Sequence, residues 1–306
     1  MAVAEWPDLS AGTADAIWRL NDMAPRKTWL IVNSRSGSNS EAALVALERS
    51  LAEYGMPAEK TIAFPAEELP NRTVLQDADV DRLIVFTGDG TLNAVIEAVT
   101  GWSGEVLVLP GGTMNLLSAR LHGADTEYDA ILERIASGAF RPVRPKMACC
   151  PAGRAHAGVL VGPGTAWAEV REAMRDFDVA GLAQGAGEAL AETTGGSRVR
   201  MVEPAIGQDD GYPLIELTPS HRGMQVDGYR IENAGEFLQQ SWALLRRSFR
   251  DGPHERLGLL DRLVIENCAG EPVEVLIDGE PATLETRAEF TVEDCPVDLL
   301  ATAHGF

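Results

Sequence analysis

Three short stretches of this 306-residue chain gather glycine with hydroxyl and amide side chains: Asn33-Ser34-Arg35-Ser36-Gly37, Gly88-Asp89-Gly90-Thr91-Leu92-Asn93 and Gly112-Thr113-Met114-Asn115. Glycine lets main-chain N–H groups approach a ligand that a side chain would hold off, and N–H groups at the start of a helix favour an anion. Phosphate is the chemistry that suits this pattern. The chain has only three lysines, Lys27, Lys60 and Lys146, so phosphate recognition leans on arginine, backbone N–H groups and a metal ion. Asp89 is then placed to act through magnesium or by orienting a loop. A second set of candidates is Asp278-Gly279-Glu280, two carboxylates of the kind that accept a proton from a hydroxyl.

Each stretch alone also has a plain structural reading. Short Ser/Gly turns connect strands to helices in many folds, and Asp-Gly between apolar alternating runs is a hairpin signal. The three glycine turns gain weight together, because each falls where an apolar run gives way to a helical pattern. No G-x-x-x-x-G-K-[ST] sequence occurs, which excludes a P-loop NTPase, and no G-x-G-x-x-G follows a strand, which argues against a Rossmann dinucleotide site.

The elements that must position these turns follow from periodicity. Residues 28–55 read as strand, turn and helix, with Ser38 and Glu41 at capping-box spacing and Leu44, Leu47, Leu51 and Tyr54 at helical intervals. The same unit recurs at 83–99, with Leu92, Val95, Ile96 and Val99 on one face, and at 105–123. A helix over 125–138, with Tyr128, Ile131, Leu132 and Ile135 inward, stops at Gly138. Strands alternating with helices predict an α/β nucleotide-binding domain over 27–146 with a parallel sheet, its ligand loops at the strands' carboxyl ends. Residues 1–26 form a leader. Beyond 147 the alternation fails: glycine-rich strands, Ala-rich helical stretches at 165–177 and 180–192, and late runs such as LDRLVIEN and PVEVLIDGEPATLE predict a mostly antiparallel, β-rich domain over 147–306. Its last strand is expected to return to the first domain.

A net charge of −20 excludes a nucleic-acid surface and a permanent polybasic membrane patch. No apolar run reaches the roughly 20 residues that cross a bilayer, and the acidic first residues carry no signal pattern, so a cytoplasmic protein is expected. Cys149, Cys150, Cys268 and Cys295 lack C-x-x-C spacing and read as buried reduced thiols.

In order and separation, NSRSG, TGDGTLNAVIEAV and LPGGTMNLLSARL resemble the N-P-x-x-G, G-G-D-G-T-x-N-E and P-x-G-T-x-N-x-x-A-R motifs of the diacylglycerol kinase catalytic-domain family, which includes bacterial soluble lipid kinases and sphingosine kinases. EPAIGQDDGYPLIEL at 203–217 and VEVLIDGEPA at 273–282 are similar to the family's P-x-A-x-x-D-D-G-x-L and D-G-E elements. The resemblance implies ATP and Mg2+ as cofactors and a lipid hydroxyl as acceptor, phosphorylated in a cleft between an α/β and a β-rich domain.

It implies that Asn33, Ser34, Arg35, Ser36 and Gly37 cradle nucleotide phosphates. Gly88, Asp89, Gly90, Thr91, Leu92 and Asn93 then supply the main triphosphate loop, which Thr113 and Asn115 complete. Asp278 and Glu280 would form the catalytic unit, with the general base open between them. Asp210 with the Tyr212 carbonyl would bind a structural magnesium. The lipid would be met transiently at the inner membrane face, where Arg246 and Arg247 of a helical stretch over 236–249, with Arg250 just after it, could meet an anionic lipid surface, and a homodimer is compatible. Thr87, Ser34, Ala94 and Met114 depart from the family's glycine, proline, glutamate and glycine. Two other readings stand beside this one, an NAD kinase-like enzyme and a nucleotide-binding regulatory relative without catalysis.

Overall fold

The computed structural model describes residues 26–33, 41–112, 115–162, 198–229 and 254–303. Outside them lie all but the last residue of the expected leader, the Ser38 cap, the Ala-rich stretches, the 236–249 helix with its arginines, and Ser34, Arg35, Ser36, Gly37 and Thr113 of the expected phosphate site.

The first unit runs β1 (Thr28–Asn33), α1 (Glu41–Glu53), β2 (Lys60–Phe64), α2 (Arg72–Asp77), β3 (Arg82–Thr87), α3 (Asp89–Ala98), β4 (Glu105–Pro110), α4 (Leu116–His122), α5 (Tyr128–Ala136) and β5 (Arg141–Val143). Its central strands β1, β3 and β4 are buried along nearly their whole length because both faces are covered. Trp29, Ile31, Leu83, Val85, Val106 and Val108 pack with Leu75, Leu92, Val95, Ile96, Leu117 and Leu121 from α2, α3 and α4. The alternate residues Leu30, Val32, Ile84, Phe86, Leu107 and Leu109 pack with Leu47 and Leu51 of α1 and Ile131, Leu132 and Ile135 of α5. The result is the three-layer α/β domain expected from the alternation. At the strands' amino ends Glu105 holds two arginines, Arg82 at 2.5 Å and Arg26 at 2.7 Å, with Arg82 and Glu105 both buried.

The second unit comprises β6 (Lys146–Cys150), β7 (Gly153–Ala155), β8 (Val159–Val161), β9 (Val199–Glu203), β10 (Leu214–Ser220), β11 (Gly223–Tyr229), β12 (His254–Leu260), β13 (Arg262–Asn267), β14 (Val273–Ile277), β15 (Glu280–Leu284) and β16 (Arg287–Asp294). They form two sheets, ordered β12-β11-β10-β8-β14-β15 and β7-β6-β16-β13-β9, whose strand pairs are all antiparallel. Val159, Ile215, Val226 and Val275 from one sheet meet Met201, Leu263, Ile265 and Phe290 from the other.

Strand β6 serves both cores, since Met147 and Cys149 face the first and Ala148 the second. The chain then re-enters the first sheet as β17 (Asp298–Ala301), parallel to β4 and antiparallel to β5. The first sheet therefore reads β2-β1-β3-β4-β17-β5. All four thiols are free. Cys149 and Cys295 are buried, but Cys268 is exposed, against the expectation of burial, because it follows β13 in a surface turn.

Candidate active site

The order β2-β1-β3-β4 reverses direction between β1 and β3, which are parallel neighbours. Open α/β sheets bind ligands outside the carboxyl ends of strands at such a switch point. There Asn33, the last residue of β1, donates from Nδ2 to Thr91 Oγ1 of α3 at 3.0 Å, tying the first turn to the second. Leu92, read from the motif as part of the phosphate loop, is buried and packs in the core below it.

Asp89 opens α3 and caps the neighbouring helix: its carboxylate accepts the N–H groups of Leu116 at 3.1 Å and Leu117 at 3.2 Å. Asn115 adopts the left-handed conformation with φ 53°. Its side chain accepts from Gly112 N–H at 2.7 Å and donates to Gly112 carbonyl at 2.8 Å, so it locks the third turn from within. Of the departures from the family's motifs, Thr87 is buried at the end of β3 and Ala94 is exposed on α3.

The tightest backbone approach falls at Gly111 and Gly112, of which sequence reasoning placed only Gly112 in a glycine turn. A Cβ on Gly112 would lie 2.4 Å from Gly88 Cα, and one on Gly111 would lie 2.5 Å from Phe86 C and Thr87 N. These glycines let the second and third turns touch. A Cβ on Gly90 would meet the Glu280 side chain, Oε1 at 3.4 Å and Cδ and Cγ at 3.9 Å. Gly112→Ala must displace main chain and is expected to cost about 1–3 kcal/mol of stability, together with nucleotide affinity. Thermal melting with and without ATP checks this, and an unchanged midpoint would mean the turns are not in contact.

Glu280 belongs to the second unit. Asp278 (φ 46°) and Gly279 (φ 89°) form the two-residue turn between β14 and β15, a hairpin whose positive φ values Asp-Gly supplies. The hairpin reading therefore holds for Asp278-Gly279. The buried Asp278 carboxylate accepts four N–H bonds: Oδ1 from Ala157 at 2.8 Å and Gly158 at 3.0 Å, Oδ2 from His156 at 2.7 Å and from Asn93 Nδ2 at 3.3 Å. Four donors match the four lone-pair sites of a carboxylate. Exposed Glu280 stands beside Gly90 at the start of α3. Residues 156–158 carry no motif letter, and the letter of Arg120, which holds them, does not reveal this task. The one advance signal was Arg120's place in the stretch LPGGTMNLLSARL.

Burial, with the Asp278 carboxylate adding to it, pushes the Asp89 carboxyl up to about 6. Burial pulls His122 and His156 down to about 4. His122 is held between Thr302 Oγ1 at 3.0 Å and the Val108 carbonyl at 2.9 Å. The signs are opposed. Between about 4 and 6 the folded chain binds more protons at Asp89 than the unfolded chain, so Asp89 adds stability as pH falls. The histidines bind fewer, so their contribution is present above about 6.5 and is lost as pH falls toward about 4. Asp89→Asn should therefore melt with a steeper loss on the acid side between pH 6 and 4 than the native chain. Equal slopes would place Asp89 at an ordinary carboxyl value.

At Asp210 and Tyr212 the structure places an ion pair and a strand-like pairing. Arg198 donates to Asp210 Oδ2 at 2.9 Å and to the Gly211 carbonyl at 3.1 Å. The Tyr212 carbonyl accepts Val199 N–H at 2.9 Å, and its buried ring donates to Glu255 at 3.0 Å. A guanidinium supplies the positive charge beside this turn.

The model of the diacylglycerol kinase catalytic domain matches residues 27–148, the span of β1 to β6 that carries all three glycine turns. Over these residues the chain is similar to the diacylglycerol kinase catalytic-domain family. The whole fold is similar to a diacylglycerol kinase structure from Bacillus anthracis strain Sterne, with a TM-score of 0.58 at 16% identity over 92% of this chain and 98% of that one. Another B. anthracis structure, provisionally assigned as a diacylglycerol kinase, has a TM-score of 0.62 at 17% identity over 92% and 99% of the two chains. At these identities the likeness is one of fold. No curated protein matches the chain. Among the described residues no helix is long and apolar enough to cross a membrane.

Proposed function

We propose that the protein transfers the γ-phosphoryl group of Mg-ATP to a lipid hydroxyl, of diacylglycerol or a related lipid. The observation that carries this is the Asn93–Asp278 hydrogen bond at 3.3 Å. It joins a carboxylate-bearing hairpin of the second unit to the helix that opens from the glycine turn of a diacylglycerol kinase catalytic domain. In this reading Asn33 and the N–H groups of residues 88–91 face the phosphates, with Gly112 against Gly88 and Asn115 bonded to Gly112.

Among the described residues no group of three or more His, Cys, Asp or Glu could hold a metal alone, so the magnesium enters with the nucleotide. Asp89, whose carboxyl Asp278 helps to push up to about 6, is the side chain that would meet it, since paired carboxylates suit a divalent cation. The bound ion neutralises phosphate charge.

Within the acid-base pair, Asp278 is committed to four N–H donors and holds the hairpin. Glu280, exposed beside Gly90, takes the acceptor proton as the hydroxyl oxygen bonds to the γ-phosphorus and the bond to ADP breaks. The lipid is reached from a membrane surface, transiently.

Parallel incubations with γ-labelled ATP, magnesium and either mixed lipid micelles or NAD test this reading. Label is expected in lipid. Label in NADP would assign an NAD kinase, and no transfer would leave a nucleotide-binding module.

A further inference from the structure

Four links join the two glycine-turn helices to the hairpin of the second unit. Asp89, on α3, accepts the N–H groups of Leu116 and Leu117 and so fixes the first turn of α4. Arg120 lies four residues beyond Leu116, one helical turn on. Its Nη1 donates to the Lys146 carbonyl at 2.9 Å and, closer still, to the His156 carbonyl. Residues 156–158 then present three successive N–H groups to Asp278, and Asp278 N–H returns a bond to the Gly158 carbonyl at 3.1 Å. Asn93 closes the ring by joining Asp278 to α3.

Two of these links hold the 156–158 segment from outside its own strands: the carboxylate on its N–H side and the Arg120 guanidinium on its carbonyl side. A peptide gripped at both its N–H and its C=O is fixed in orientation, and Asp278 inherits that orientation. His156 itself is buried, with Nδ1 making no hydrogen bond. Its hold on this place comes through its main chain and not through its ring.

We propose that Arg120 is a positioning residue: by holding the main chain of residues 156–158 it sets where Asp278, and with it Glu280, stands against the turn at residues 88–91. The role rests on the kinase reading for its effect on catalysis, and on the hydrogen-bond ring alone for its effect on structure. Both of these Arg120 bonds run toward the hairpin side of the site, and the expected effect of its loss is there.

The test uses the full chain with Arg120→Met and Arg120→Lys, read in two ways. Amide hydrogen exchange of His156, Ala157 and Gly158 is expected to quicken by about tenfold or more in R120M, with residues 88–93 unchanged, and R120K should restore much of the protection because an ammonium can still donate to a carbonyl. In the lipid assay R120M should lose about 10- to 100-fold in kcat, as expected for a misplaced catalytic group. KM for ATP should stay within about twofold, with partial recovery in R120K. A general loss of packing would raise exchange and weaken ATP binding everywhere, and R120K would not restore it. Unchanged exchange at 156–158 in R120M, or loss of ATP affinity equal to the loss in kcat, would overturn the proposal. If the native chain phosphorylates no lipid, the kinase reading fails, and the exchange result still decides the role of Arg120. Should R120M not fold, Arg120→Leu takes its place with the same exchange and kinetic criteria.

Discussion

Replacing Gly90 with valine is expected to abolish nucleotide binding, a loss of at least about 100-fold in affinity, while the apo protein melts within a few degrees of the native chain. Gly90 is exposed in the first turn of α3, so a larger side chain there displaces no core. A Cβ already sits 3.4 Å from Glu280 Oε1, and valine's two methyl groups extend from it into the space between the turn and the hairpin. Titration calorimetry with Mg-ATP reads this directly. Normal affinity in Gly90→Val would remove the turn from the nucleotide site.

Asp278→Asn is expected to act on both structure and rate. Each carboxylate oxygen accepts two N–H bonds, so whichever way the amide is turned its NH2 group confronts two donors. An unmet buried donor costs about 1–3 kcal/mol, and two such clashes place the loss near the upper end or beyond. With the hairpin released, kcat should fall by about 100- to 10,000-fold. Glu280→Gln should instead keep the native melting midpoint, because Glu280 is exposed, and lose turnover by at least about 100-fold. Denaturant unfolding of the two variants side by side separates the roles. An Asp278→Asn protein as stable as the native chain would mean that the four-donor cradle does not form.

The frame of this fold was legible because buried parallel strands are written as apolar runs and their helices as 3.6-residue periods. Leu92, Val95, Ile96 and Val99 faced the core as their spacing required. The Asp-Gly hairpin was equally plain, since few dipeptides tolerate two positive φ values in succession. Less legible was what depends on contacts between distant segments. Strand β17 carries only four residues, too short for its period to announce a parallel pairing with β4. Asn115 reads as a ligand-facing amide, yet a left-handed backbone turns its side chain onto Gly112. Asp210 reads as a metal ligand until Arg198, distant from the motif, is placed against it. The cradle at 156–158 uses main-chain groups alone, and main-chain groups leave no letter in a sequence.

The central claim is that the turn at residues 88–91 and the carboxylate at Glu280 form one phosphoryl-transfer site. A single-turnover experiment with γ-labelled ATP, magnesium and diacylglycerol micelles, run on the native protein and on Glu280→Gln, tests it most directly. The account predicts labelled lipid from the native protein and transfer slower by about 100-fold or more from the variant, with nucleotide affinity equal in both. Labelled lipid at the same rate from both proteins, or from neither, would contradict it.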